Sequence, residues 1–406
     1  MRNALIILAS LIAGVLLGIV IAGNAPWLIE TANVIGTMWL NALRMTIIPL
    51  VVSILIVGVV QAAAMARAGQ MTTRAIITML IVLWASAAMA AIFTPALLSL
   101  FPLPADAASA LRGALLTAQP LGEVPPFSKF LREIIPTNPV AAAAQDAILP
   151  LIIFTLAFAF AATRLPEAKR TTIAEFFAAI SDTMLILINW VLALAPAGVF
   201  ALALVVGAKA GAEAFGALVH YVLIVSSVGA VIWLASFVLA AVGGRMKPVT
   251  FFRASMPAQA VAISTQSSLA SLPAMVNGVK SMGVGERSAD VVLPIAVALF
   301  RATGPCMNLA VAIYVAHLMG IELSATALGI GVAAAAITTV GAVSLPGSVS
   351  FITSIAPICI AMGIPIEPLA LLLAIETFPD IVRTVGNVTM DMAVTGTVAR
   401  FENDVT

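Results

Sequence analysis

Eight apolar runs long enough to cross a bilayer dominate this chain, at about 4–23, 34–63, 73–101, 141–164, 172–208, 216–243, 288–320 and 366–400. Each reaches the ~20 residues that the hydrocarbon core of a bilayer demands, and the longer ones must tilt or protrude. With no water to satisfy the backbone at that depth, such runs fold as helices. The expectation is an all-α integral membrane protein. Composition agrees: 62% of the residues are hydrophobic and 9% are charged, where a soluble domain carries about 25% charged residues. A net charge of +1 gives nucleic acid nothing to bind. Cys306 and Cys359 both lie in apolar stretches and read as buried thiols. The first run, Ala4 to Ala22, has the look of a signal peptide. Further spans follow at once, so it reads as a retained first helix.

Two more apolar stretches are interrupted. Residues 249–285 contain "STQSSLASLP", and 326–365 contain "SLPGSVS". Helix, break and helix again is the pattern of a re-entrant hairpin, and unwound backbone at membrane depth is tolerated where it lines a cavity. A pair of broken segments in corresponding halves points to a transporter's binding site. Charge supports this layout. With the N-terminus inside and both hairpins re-entrant, twelve of the 19 Lys and Arg fall inside. Arg112, Lys129, Arg132 and Lys209 fall outside, and Arg44, Arg301 and Arg383 lie within spans. That is the positive-inside bias. The Pro-rich segment 102–137 is placed outside as a loop.

The last run carries a polar stripe, in "IETFPDIVRTVGNVTMD" at 375–391. Glu376, Asp380, Arg383, Thr384, Asn387 and Asp391 fall within a sector of about 100° on one helix face. Each charge at bilayer depth costs roughly 3 kcal/mol or more, so such a stripe marks a functional site.

These segments resemble those of the dicarboxylate/amino acid:cation symporters, the glutamate-transporter family, over nearly the whole chain. "WLNALRMTIIPLVVSILIVGV" at 39–59 is similar to the family's second span. "EIIPTNPVAAAAQDAILPLIIFTLAFAFA" at 133–161 is similar to its Pro-Thr-Asn-Pro turn and fourth span. "TQSSLASLP" and "SLPGSVS" resemble its hairpin tips, and "DIVRTVGNVTMD" its eighth span. The resemblance implies eight transmembrane helices plus two re-entrant helical hairpins, an elevator-type transporter and a homotrimer. It implies scaffold spans 1–2 over residues 1–72 and scaffold spans 4–5 over 141–215, with 102–140 as an external loop. The transport domain would comprise span 3 at 73–101 and all of 216–406, including the first hairpin at 249–285 and the second at 326–365.

The resemblance also assigns roles. Asp380 would accept a substrate amino group and Arg383 a distal carboxylate, a group that guanidinium binds bidentately. The bland reading is an internal pair three residues apart. Thr384 and Asn387 match further substrate contacts, with Asn387 also a candidate ion ligand. Ser267 and Ser268 match the serines that hold an α-carboxylate, although serines also simply fill turns. Pro273 and Pro346 read as helix breakers that shape the tips. Asp391 matches a cation-ligand position, suited to a hard cation such as Na⁺. A satisfied polar residue near the helix end is its bland alternative. Glu376 is expected to support this polar network without touching substrate.

One segment departs from the family. Its seventh-span Asn-Met-Asp-Gly-Thr signature becomes "CMNLA" in an ungapped alignment, Cys306 to Ala310. That puts Cys306 and Asn308 at cation-binding positions. In the third span, Ala85 and Ser86 stand where Thr and Ser are expected near the same ion site, and Ser348, Val349 and Ser350 replace glycines at the second tip. Arg301 lies five residues before Cys306, in an apolar span. It is a candidate stand-in for a bound cation, pairing with Asp391 or Glu376; the alternative is that it snorkels to a peripheral pocket.

The reading is a secondary active symporter that moves aspartate or glutamate across a prokaryotic inner membrane with Na⁺ or H⁺. It needs no cofactor and is no enzyme. A C4-dicarboxylate symporter is the alternative. Rivals from other classes are a passive anion channel, a degenerate sensor and a membrane-embedded serine hydrolase. The hydrolase needs an activating base, and His220 and His317 sit in no recognisable motif.

Overall fold

The computed structural model describes residues 2–66, 69–103, 135–145, 147–211, 213–340, 347–402 and 404. The expected external loop, apart from its ends, and the second hairpin tip with Pro346 lie outside them. Every regular element among the described residues is helical.

Three long helices open the chain: α1 (Arg2–Ile21), α2 (Pro26–Ala66) and α3 (Gln70–Leu100). Two short ones follow, α4 (Pro139–Ala144) and α5 (Ile148–Ala162). The Asn138 side chain caps α4 by accepting from the amides of Val140 and Ala141, and Pro139 opens the helix with its fixed φ. The run at 172–208, expected as one span, is two helices: α6 (Glu167–Ala193) and α7 (Ala195–Ala210). Pro196 in the first turn of α7 cannot continue α6.

After α8 (Glu213–Val242), a helical hairpin stands at the first interrupted stretch, as α9 (Pro248–Thr265) and α10 (Ser268–Ser281). Its turn is made by Gln266 in the left-handed conformation, φ 53°, followed by the α10 cap Ser267. Pro273, expected to break the tip, lies inside α10 instead. The run at 288–320 also divides, into α11 (Glu286–Leu299) and α12 (Thr303–Met319). Phe300 takes an extended conformation between them. Arg301 is therefore in the unwound middle of this span, between two half-helices. "CMNLA" lies within unbroken α12. The second hairpin's arms are α13 (Ala325–Val340) and α14 (Gly347–Ala361). The chain ends in α15 (Glu367–Leu372), a short 3₁₀ turn (Leu373–Ile375) and α16 (Thr377–Phe401).

Packing follows two sets of contacts. α1, α2, α5, α6 and α7 pack on one another, and α3 packs with α8 to α16, chiefly on α12 and α13. The α1–α7 contact is backbone on backbone. A Cβ on Gly207 would stand 2.2 Å from the Val15 carbonyl oxygen, and one on Gly18 would stand 2.3 Å from that of Leu204. Small residues that let helices approach this closely are how membrane helices gain dispersion energy without a hydrophobic drive between them. The centre is the α11–α12 stretch, 78% buried in its most apolar window, against 17% for α6. The periphery is oily: Ile81, Ile92, Trp190 and Val238 are all more than 60% exposed. Among the described residues, five helices or helix pairs are long and apolar enough to cross a membrane. The chain is an integral membrane protein.

Candidate functional site

The polar stripe of α16 faces inward. Glu376, Asp380, Arg383, Thr384, Asn387 and Asp391 are all buried. α8, α9, α10, α11 and α12 enclose this helix, so the charged face that would be solvated in a soluble protein is packed here.

Arg383 organises the cluster. Its Nη2 donates to Glu376 Oε1 at 2.6 Å, and its Nη1 donates to Asn308 Oδ1 of α12 at 2.7 Å. Nε lies 3.6 Å from Asp380 Oδ1 and has no hydrogen-bond partner. Glu376 is thus the guanidinium's primary partner, and Asp380 the secondary one. The Tyr221 hydroxyl of α8 donates to the second Glu376 oxygen at 3.1 Å. Asn308, expected at a cation, has its carbonyl oxygen committed to Arg383.

One turn on, Asn387 ties α16 to the start of α12. Its Oδ1 accepts from the Thr303 amide at 2.9 Å. The Thr303 hydroxyl lies 2.8 Å from the same oxygen and 2.9 Å from the Arg383 carbonyl. Asn387 therefore has only its NH₂ group left for a ligand. The helices touch at this point: a Cβ on Gly386 would stand 2.5 Å from Thr303 Cγ2. The Thr384 hydroxyl donates back to the Asp380 carbonyl.

Asp391 is fully buried, and neither carboxylate oxygen has a hydrogen-bond partner. A buried carboxylate without partners requires a cation or a proton. Arg301 is half-buried in the α11–α12 break. The Glu376 oxygens are bonded to Arg383 and Tyr221, and Arg301 makes no hydrogen bond to Asp391, whose oxygens are bare. Its charge nevertheless acts through space on both Asp380 and Asp391.

Ser267 and Ser268 lie at the first hairpin tip, where the Ser267 hydroxyl accepts from the Ala270 amide and caps α10. No hydrogen bond joins either serine to the stripe. Ser86 of α3 donates to its own helix at Leu83. His220 contacts the Phe101 carbonyl and the Tyr314 hydroxyl. Ser348, Val349 and Ser350 open α14 beside a tip that is outside the described residues.

Tyr221 and Thr303 were not evident from sequence. Nothing local marks Tyr221. Thr303 had a signal, the Gly304–Pro305 pair that follows it, which announces a new helix start.

The model of the sodium:dicarboxylate symporter family matches residues 5–401. The chain is 27% identical to a proton/glutamate-aspartate symporter of Escherichia coli, across 98% of this chain and 92% of that protein. It is 28% identical to a proton/sodium-glutamate symport protein of Bacillus subtilis, across 94% and 89%. A C4-dicarboxylate transport protein of Pseudomonas aeruginosa is 26% identical, across 98% and 89%.

Proposed function

The chain belongs to the sodium:dicarboxylate symporter family, a family of secondary transporters and not of enzymes, and from that premise we propose that it carries an acidic amino acid, aspartate or glutamate, across a bacterial inner membrane together with Na⁺ or H⁺. The observation that carries the reading is the buried pair of Asp380 with Arg383, whose Nε has no partner. A carboxylate and a guanidinium 3.6 Å apart present complementary ends to a molecule bearing both an ammonium and a carboxylate. Arg383 reaches the distal carboxylate, Asp380 the ammonium, and Thr384 and the Asn387 amide group complete the contacts. Ser267 and Ser268 at the hairpin tip receive the α-carboxylate, beside the N-terminal amides of α10. Asp391 marks where the coupling charge sits, whether cation, proton or a protein guanidinium, because its bare oxygens need a positive partner.

The two packing sets support an elevator. α1, α2 and α5–α7 form the fixed scaffold, and α3 with α8–α16 the moving transport domain. The hairpin arms have 18, 14, 16 and 15 residues, short of the ~20 that a full crossing needs, which supports re-entrant hairpins within eight spans. Three such chains assemble as a homotrimer through the scaffold.

A second reading, a C4-dicarboxylate symporter, has one observation in its favour. The Arg301 charge already acts on Asp380, which lessens that carboxylate's need for a substrate ammonium. Ligand-induced thermal stabilisation of the purified protein separates the two. Aspartate and glutamate are expected to raise Tm more than succinate, which lacks the amine. The reverse order establishes the dicarboxylate reading, and no shift with any of the three refutes both.

A further inference from the structure

Three carboxylates and one guanidinium share the buried face of α16 and its cap, Glu376, Asp380 and Asp391 with Arg383, and Arg301 lies in the α11–α12 break. Arg383 is spent locally, on Glu376 at 2.6 Å and Asp380 at 3.6 Å. Asp391 lies eight residues further along the helix, a rise of about 12 Å, and its oxygens are bare. The break between α11 and α12 supplies the other charge. Thr303, anchored to the Arg383 carbonyl and the Asn387 side chain, fixes the start of α12 against the middle of α16. Arg301 lies two residues earlier, in the break, so its backbone is tied to the middle of α16 through Thr303. It also adjoins the carbonyl end of α11, where a positive charge is stabilised.

In transporters with discontinuous helices, unwound carbonyls and the C-terminal ends of half-helices are where coupling cations bind. Here that location carries a guanidinium. We propose that Arg301 is a built-in counter-charge for the Asp380–Asp391 face of α16, replacing one of the cations that the transport cycle would otherwise carry. Among the described residues, Arg301 is the cation close enough to interact electrostatically with Asp391, and it interacts with Asp380 as well. The consequence is a carrier that couples one fewer cation to each substrate. This consequence rests on the symporter reading; the counter-charge itself does not.

The test uses the full-length protein without substrate, so it is independent of what the protein carries. Thermal stability is titrated with NaCl against choline chloride at constant ionic strength, for the wild type, Arg301→Gln and Arg301→Lys. Arg301→Gln is expected to gain a saturable, Na⁺-specific rise in Tm, since a ligand that binds only the folded state stabilises it. Arg301→Lys, which keeps the charge, is expected to follow the wild type. Identical Na⁺ titrations for wild type and Arg301→Gln would overturn the proposal. Should Arg301→Gln not fold, the double variant Arg301→Gln/Asp391→Asn decides. Recovery of folded protein supports the counter-charge, because the orphaned carboxylate is gone; no recovery overturns it.

Discussion

Arg383 enters the transport cycle with hydrogen bonds to Glu376 and Asn308 already made. Glu376 orients the guanidinium, and Tyr221 in turn orients Glu376. Removing one partner of a buried ion pair leaves the other uncompensated, at about 3–5 kcal/mol. Glu376→Ala is therefore expected to lower unfolding stability by about that amount, softened by Asp380. Tyr221→Phe removes one hydrogen bond and should cost only about 1 kcal/mol. Denaturation in detergent measures both; equal losses would mean that Glu376 does not carry the pair. The six α16 residues were legible because charges stand out in an oily chain and recur at helical spacing. Their partners were not. Tyr221 lies 155 positions from Glu376, and a single sequence holds no trace of that contact. Arg301 was noticed for its charge, but the helix break around it was not, because Phe300 and Ala302 beside it are as apolar as the helices they separate.

At the scale of elements, hydropathy locates membrane segments but does not see where a helix stops. The interrupted stretch at 249–285 declared itself through its serines and forms a hairpin, although Gln266 and not Pro273 makes the turn. The runs at 172–208 and 288–320 stay apolar across their breaks and so appear continuous. The close contact of α1 and α7 is equally silent, since glycine is common in membrane helices generally. It yields a paired prediction. Gly207→Ala drives a methyl group into the Val15 backbone and should cost about 1–3 kcal/mol. Gly216→Ala in α8 meets nothing within 4 Å, so its helix propensity should leave stability unchanged or raise it by up to about 1 kcal/mol. Comparing the two melting temperatures checks the assignment, and a neutral Gly207→Ala would contradict the packing.

For the whole molecule, the α16 face and the α11–α12 break sit at the buried centre, and the periphery is apolar. Among the described residues, one ion pair links the two packing sets: Arg44 of α2 with Glu367 of α15, at 2.6 Å. Both side chains are more than a third exposed, so the pair contributes little to stability and would give way if one set slid past the other. The membrane class, the family and the stripe were accessible from sequence because composition and motif spacing encode them. The division into packing sets was available only through the family resemblance, because nothing in composition or spacing shows that α3 leaves its neighbours in sequence to join helices far along the chain. The central claim is coupled transport of an acidic amino acid at the Asp380–Arg383 pair. Uptake of labelled aspartate into proteoliposomes, under an imposed Na⁺ or proton gradient and with Arg383→Ala alongside, tests it most directly. The account predicts accumulation above equilibrium under at least one gradient, collapse when that gradient is dissipated, and loss in Arg383→Ala. Uptake that only equilibrates, or that survives loss of Arg383, would contradict it.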